Sequence, residues 1–99
     1  MENDIKKIEI ITDSTLQSRL VKAVDDTGVS GYTILKDVAG KGLKGNKDGH
    51  GISGGFKNCY IMVCCDEEEA RKVVEAVKPI INMYGGICIV SDAHWVIHN

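Results

Sequence analysis

Two apolar runs, Tyr32-Thr33-Ile34-Leu35-Lys36-Asp37-Val38 and Phe56-Lys57-Asn58-Cys59-Tyr60-Ile61-Met62-Val63-Cys64-Cys65, bracket a very different stretch: Gly40-Lys41-Gly42-Leu43-Lys44-Gly45-Asn46-Lys47-Asp48-Gly49-His50-Gly51-Ile52-Ser53-Gly54-Gly55. The flanking runs have the aromatic and β-branched content of strands. The stretch between them holds seven glycines in sixteen residues and reads as a loop. A connection of about 17 residues is far longer than the 2–5 of a hairpin, and such loops in small domains carry function or stay disordered. Lys41, Lys44, Lys47 and Lys57 face a single acid, Asp48. Glycine lets the backbone approach a ligand closely, so successive N–H groups can line an anion-binding concavity, and lysine adds positive charge. The segment from Gly40 to Gly45 is therefore a candidate phosphate or carboxylate cradle. It lacks P-loop spacing and leads into a strand, so the pattern alone is equally that of a solvated loop.

Outward from this loop the chain alternates strands and helices. A strand is expected over 5–12, with Ile8 and Ile10 on one face and Lys7 and Glu9 on the other. Ser14 and Gln17 have capping-box spacing ahead of a helix whose apolar face is Leu16, Leu20, Val21 and Val24. Gly28 supplies the left-handed residue that ends it, and the second strand covers 32–38. The run 56–65 is the most apolar and reads as a central strand. Asp66 caps a second helix, with Glu67, Glu68 and Glu69 at its positive end and Ala70, Val73, Val74 and Val77 at helical spacing. Pro79 is expected to end or kink it, leaving 80–84 as one more turn. Gly85-Gly86 turns into a strand over 87–90, and 95–97 could add a short edge strand.

The resulting order, β-α-β-β-α-β, is the split βαβ pattern: a single α+β domain over 1–99, a ferredoxin-like sandwich with both helices on one face of an antiparallel sheet. The other face then needs a cover. Tyr32, Tyr60 and the cysteine-bearing strands are expected to supply apolar material there, and a second or third copy of the chain would bury it.

The 99 residues give one domain, and a domain this small has thin stability. A net charge of −2, from 12 basic and 14 acidic residues, offers no global field for nucleic acid. No apolar run approaches the ~18 residues of a membrane span, and the polar start does not read as a signal peptide. The expected setting is the cytoplasm. There Cys59, Cys64, Cys65 and Cys88 are free thiols, mostly in the core. His50, His94 and His98 read as surface or interface residues in preference to metal ligands, since a zinc site needs three or four converging groups. Trp95 reads as packed at a subunit edge. No nucleophile–base pair is visible, so no catalytic residue is assigned.

Three short motifs in order, Gly31-Tyr32-Thr33, Gly40-Lys41-Gly42 and Tyr84-Gly85-Gly86-Ile87-Cys88-Ile89-Val90, resemble the PII signal-transduction superfamily. The likeness is strongest to its PII-like branch, which includes cyanobacterial bicarbonate-transporter regulators and carboxysome-associated PII proteins. It implies a homotrimer that binds adenine nucleotides in clefts between subunits. A long T-loop, here about 40–56, would carry the signal to a membrane transporter, recruiting the protein peripherally to the membrane. Carried over by position, Gly31, Tyr32 and Thr33 would lie near adenine and ribose. Gly40, Lys41, Gly42 and Lys44 would hold phosphates, and Tyr84, Gly85, Gly86 and Ile87 would complete the cleft.

Departures from the family pattern shape the ligand. Ile87 stands where PII proteins carry a phosphate-binding lysine, Leu43 stands where they carry an arginine, and the usual C-terminal arginines are missing. Fewer cations favour AMP, ADP or cyclic AMP over tight binding of ATP, with bicarbonate as a further candidate effector and no obligatory cofactor. No tyrosine for uridylylation lies between Gly40 and Gly55. The alternatives are a metal-responsive PII-like protein using His50, His94, His98 or Cys59, and a slow ATP or ADP hydrolase on the same fold.

Overall fold

A computed structural model describes residues 4–40 and 57–99. The elements are β1 (Asp4–Asp13), a 3-10 turn (Ser14–Leu16), α1 (Gln17–Asp26), β2 (Thr33–Val38), β3 (Asn58–Cys65), α2 (Glu67–Tyr84) and β4 (Ile87–His94). They form the expected ferredoxin-like α+β fold, with one antiparallel sheet in the order β2-β3-β1-β4. The central strand read over 56–65 runs from Asn58 to Cys65, and Phe56 and all but Gly40 of the T-loop expected over about 40–56 lie outside the described residues.

One face of the sheet carries the core. Ile8 and Ile10 of β1 and Cys59, Ile61, Val63 and Cys65 of β3 pack against Leu20 and Val24 of α1 and Ala70, Val73 and Val77 of α2. Burying an aliphatic side chain of this size contributes about 1.5–3 kcal/mol, so this cluster is the main stabilising term. Period-two alternation in β1 and β3 and period-3.6 spacing in the helices put these residues on facing surfaces. Asp66 closes a full capping box at α2: its carboxylate accepts from the Glu69 amide at 2.7 Å, and the Glu69 side chain accepts from the Asp66 amide at 3.1 Å.

Several local expectations give way. The Ser14–Gln17 capping box does not form. Asp13 caps instead, its carboxylate accepting from the Thr15 amide at 2.8 Å and the Thr15 hydroxyl at 2.7 Å, because a 3-10 turn precedes α1. Pro79 does not end α2, which runs on to Tyr84. The lost hydrogen bond is one of many, and Ile80 and Ile81 beyond it pack on the core. The last strand does not stop at Val90: it continues to His94, paired with β1 down to Asp4. Lys6 pairs with Asp92 across the two strands, and His94 Nδ1 lies 2.7 Å from the Asp4 carboxylate. No strand forms at 95–97. There Trp95 stacks on His98 of the same chain, ring centroids 4.0 Å apart.

The second sheet face is open. The ladders align Leu35, Tyr60, Ile11 and Ile87 in one row across all four strands, with Thr33, Met62, Glu9 and Ile89 in the next. Leu35 is 52% exposed, Ile87 49% and Ile89 48%. Tyr60 belongs to this face as expected, but Tyr32 does not. It precedes Thr33 by one residue, faces the helices and packs against the core. The cysteines are free. Cys59 and Cys65 are buried, and burial raises the thiol pKa of both and of Cys88, that of Cys65 to about 11.

On the open face the Tyr60 hydroxyl donates to Glu9 at 2.6 Å. That bond, with smaller contributions from burial and charge, raises Tyr60 to about 12 from an ordinary 10.0. Glu9 favours the protonated phenol, so the stabilisation is complete below the ordinary value and is lost as pH rises through about 12. Alkaline titration of tyrosinate absorbance should show one of the three tyrosines ionising near 12, and Glu9→Gln should bring it back toward 10.0.

Candidate functional site

Four chain segments meet at one end of the sheet: the end of β1, the end of β2, the start of β3 and the turn from α2 into β4. Val38 and Asp13 both pair with Asn58. Gly40 lies against the same residue, since a Cβ there would stand 3.5 Å from Asn58 Nδ2. The carbonyl of Lys57, where the described chain resumes, accepts from the Ser14 amide at 3.0 Å.

The other side of this end is the Gly85-Gly86 turn. Gly85 closes α2, with its N–H donating to the Ile81 carbonyl at 2.8 Å, and has φ +96. Its own carbonyl accepts from the hydroxyl of Thr12 at 2.7 Å. Gly86 has φ +131, and an added Cβ would fall 2.6 Å from the Ile11 carbonyl oxygen and 2.9 Å from Thr12. Only glycine fits, because the chain here presses onto the backbone of β1. Ile87 follows opposite Ile11 as the first residue of β4.

The eleven residues singled out in the sequence thus separate into groups. Gly40, Gly85, Gly86 and Ile87 come to the same end of the sheet. Tyr84 sits beside them, but its ring points to α1. There the Arg19 guanidinium lies 5.0 Å from the ring centre, and Nη1 donates to the phenol oxygen at 3.0 Å. Gly31, Tyr32 and Thr33 do not join. Thr33 pairs with Met62, four residues along β3 from Asn58, which is about 13 Å away at strand rise. Tyr32 and Thr33 also face opposite sides of the sheet. The neighbouring Asp25 carboxylate, and then burial, raise the Tyr32 pKa. Lys41, Gly42 and Lys44 lie outside the described residues. Among the described residues no three His, Cys, Asp or Glu side chains converge as metal ligands.

Sequence reasoning missed three residues at this end. Thr12 is buried, 4% exposed, and reads as one more position of an apolar strand. A lone hydroxyl at a core position, which needs a partner, is the signal that could have marked it. Arg19 and Asp37 carry no such signal. Arg19 meets Tyr84 only through the packing of α1 on α2. Asp37, at φ 57, is the only non-glycine among the described residues with positive φ, at a register shift between Leu35 and Val38.

The geometry brings the backbone of a glycine turn, Gly85-Gly86, to the same end of the sheet as Gly40, the last described residue before the lysine-bearing segment. Such a place suits an anion held by backbone groups.

Known proteins share this architecture. The family model described as Nitrogen regulatory protein P-II matches residues 5–98. No curated protein sequence matches the chain. Among solved structures, the chain is similar to CPII, a nitrogen regulatory PII-like protein from Thiomonas intermedia K12 bound to ADP, AMP and bicarbonate. The two share 26% identity over 97% of each chain, with a TM-score of 0.77. CPII bound to ADP and bicarbonate gives 28% identity over 93% of this chain and 88% of that one, with a TM-score of 0.76. A PII-like signaling protein from Thermus thermophilus gives 25% identity over 95% and 91%, with a TM-score of 0.73.

Two substitutions test the construction of the turn. Gly86→Ala should lower unfolding free energy by about 1–3 kcal/mol, since it must strain or displace the backbone against Ile11. Thr12→Val leaves the Gly85 carbonyl without its donor and should cost about 1–3 kcal/mol in urea denaturation. Wild-type midpoints for both would refute the packing described.

Proposed function

Because the chain belongs to the nitrogen regulatory protein P-II family, we propose that it is a signalling protein, not an enzyme, that binds AMP or ADP where two copies of the chain meet. The observation that carries this reading is the likeness, over 97% of both chains, to a protein bound to ADP, AMP and bicarbonate. Gly40, Lys41, Gly42 and Lys44 would hold the phosphates, and Tyr84, Gly85, Gly86 and Ile87 would close the cleft from the turn. Gly31, Tyr32 and Thr33, about 13 Å along the sheet from that end, would lie near the adenine and ribose. A neighbouring copy would bring its own set of these residues to the cleft, as the family likeness implies.

Self-association has separate physical support. The open face presents Leu35, Ile87 and Ile89 to water, and a contiguous apolar patch on a small domain is covered by a partner more often than left bare. We assign the trimer to this face. With Ile87 and Leu43 in place of cations, a diphosphate or monophosphate needs less charge compensation than ATP. Bicarbonate is a second small anion for the same cleft.

The output we assign is regulation of a membrane transporter, for bicarbonate or another small ion, through residues 40–56. No helix among the described residues is long and apolar enough to cross a membrane, so contact with such a partner would be peripheral. A ligand would change how these residues meet the partner only by its differential affinity for the arrangements that do and do not bind it.

Isothermal titration with AMP, ADP, ATP and cyclic AMP tests the binding reading. AMP or ADP should bind, and Lys41→Ala should weaken binding about tenfold or more with the melting temperature unchanged. Failure of all four to bind would overturn the reading. Light scattering during size exclusion should give three chains per particle, and a single chain at micromolar concentration would remove the intersubunit cleft.

A further inference from the structure

Capping-box spacing assigns Ser14 to the start of α1, but Asp13 caps the 3-10 turn that precedes α1, and Ser14 bonds to two residues elsewhere. Its amide donates to the Lys57 carbonyl at 3.0 Å, and its hydroxyl donates to the Asp37 carboxylate at 3.3 Å. Lys57 follows the 41–56 connection, and Asp37 lies a few residues before it. One residue thus touches both ends of the long connection, from a turn that belongs to neither.

Asp37 adds a reason for the contact. It holds a left-handed conformation at φ 57, beside a register shift in the β2–β3 ladder. That conformation is disfavoured for a residue with a Cβ and persists only where its surroundings hold it. Aspartate tolerates it better than most, because its short carboxylate can accept from a nearby donor. The Ser14 hydroxyl is that donor. Val38, the next residue, still pairs with Asn58, and Ala39 and Gly40 follow outside the ladder.

Two residues upstream, Thr12 holds the Gly85 carbonyl. The three residues Thr12, Asp13 and Ser14 therefore connect the glycine turn to both ends of the connection. Asp13 contributes as well, because its carboxylate fixes the turn that carries Ser14 and its carbonyl lies 3.9 Å from Cys59 Sγ.

We propose that Ser14 is a positioning residue: it fastens the Asp37–Gly40 segment and Lys57 to the end of β1, so that they and the Gly85-Gly86 turn keep one relative placement. The consequence for ligand affinity rests on the proposed nucleotide binding, while the fastening itself does not.

Amide hydrogen exchange on the full chain without ligand reads the fastening directly. Ser14→Ala should speed exchange at the Val38–Asn58 end of the β2–β3 ladder about fivefold, the effect of losing one exposed hydrogen bond. Ser14→Thr and Asp37→Asn keep a donor and an acceptor and should exchange like the unaltered chain. Exchange in α2 and the melting temperature should not change. Titration with ADP then reads the consequence: affinity should fall several-fold in Ser14→Ala and return in Ser14→Thr. Unchanged exchange at the Val38–Asn58 end of the ladder overturns the proposal, and so does faster exchange with undiminished ADP affinity. If the unaltered chain binds no ADP, the nucleotide reading fails instead, and the exchange result alone decides for or against Ser14.

Discussion

The structure depends on β1 having a hydrogen-bonded partner along both edges. Lys6 to Asp13 pairs with β3, and Asp4 to Ile11 pairs with β4. Its inward residues Ile8 and Ile10 are fully buried under the helices. The same strand supplies Thr12 and leads into Ser14 at its end, where hydrogen-bonding capacity left over from the ladders is spent on the turns around it. The position of every glycine segment near the candidate site is therefore referred to β1, because a strand held on both edges cannot shift without breaking two ladders.

That arrangement explains how a site could be built with few charges. The candidate end offers the backbone of two glycines with positive φ, the amide of the first already closing α2, and a hydroxyl committed to Gly85. The nearby arginine is turned to an aromatic ring, where it ties α1 to α2. Helix α2 ends without a basic residue in its last turn, so Arg19 also brings positive charge to the negative end of that helix. What remains for an anion is geometry more than charge, apart from the lysines of the intervening loop.

Much of the fold was legible in the sequence because its core is strictly periodic. Alternation in β1 and β3 and the Ala70, Val73, Val77 spacing in α2 leave little choice of face. The second half of β4 was not legible. Ser91-Asp92-Ala93-His94 has no apolar alternation, and it becomes a strand because the start of β1 would otherwise carry an unpaired edge, with Lys6–Asp92 and Asp4–His94 as cross-strand support. At Pro79 the ending was the outcome that failed: the turn expected over 80–84 continues the helix, sustained by the packing of Ile80 and Ile81. At the site, the glycines were readable from conformational need. The separation of Gly31–Thr33 from Gly85-Gly86 was not, since sequence order is silent on which end of a sheet a segment reaches. The contact of Arg19 with Tyr84 and the bonds of Ser14 to Lys57 and Asp37 were hidden for the same reason.

The pairing of Asp4 with His94 has a consequence for how the chain reaches this state. During synthesis β1 is made before the other strands described and receives its neighbour β4 only after all of them, and contacts that distant in sequence are slow to form. Until then β1 and β3 hold one unfilled edge and an uncovered hydrophobic surface, the kind of intermediate that seeks other chains. A nascent polypeptide of this protein thus leaves the ribosomal tunnel with its sheet unfinished until β4 itself has emerged.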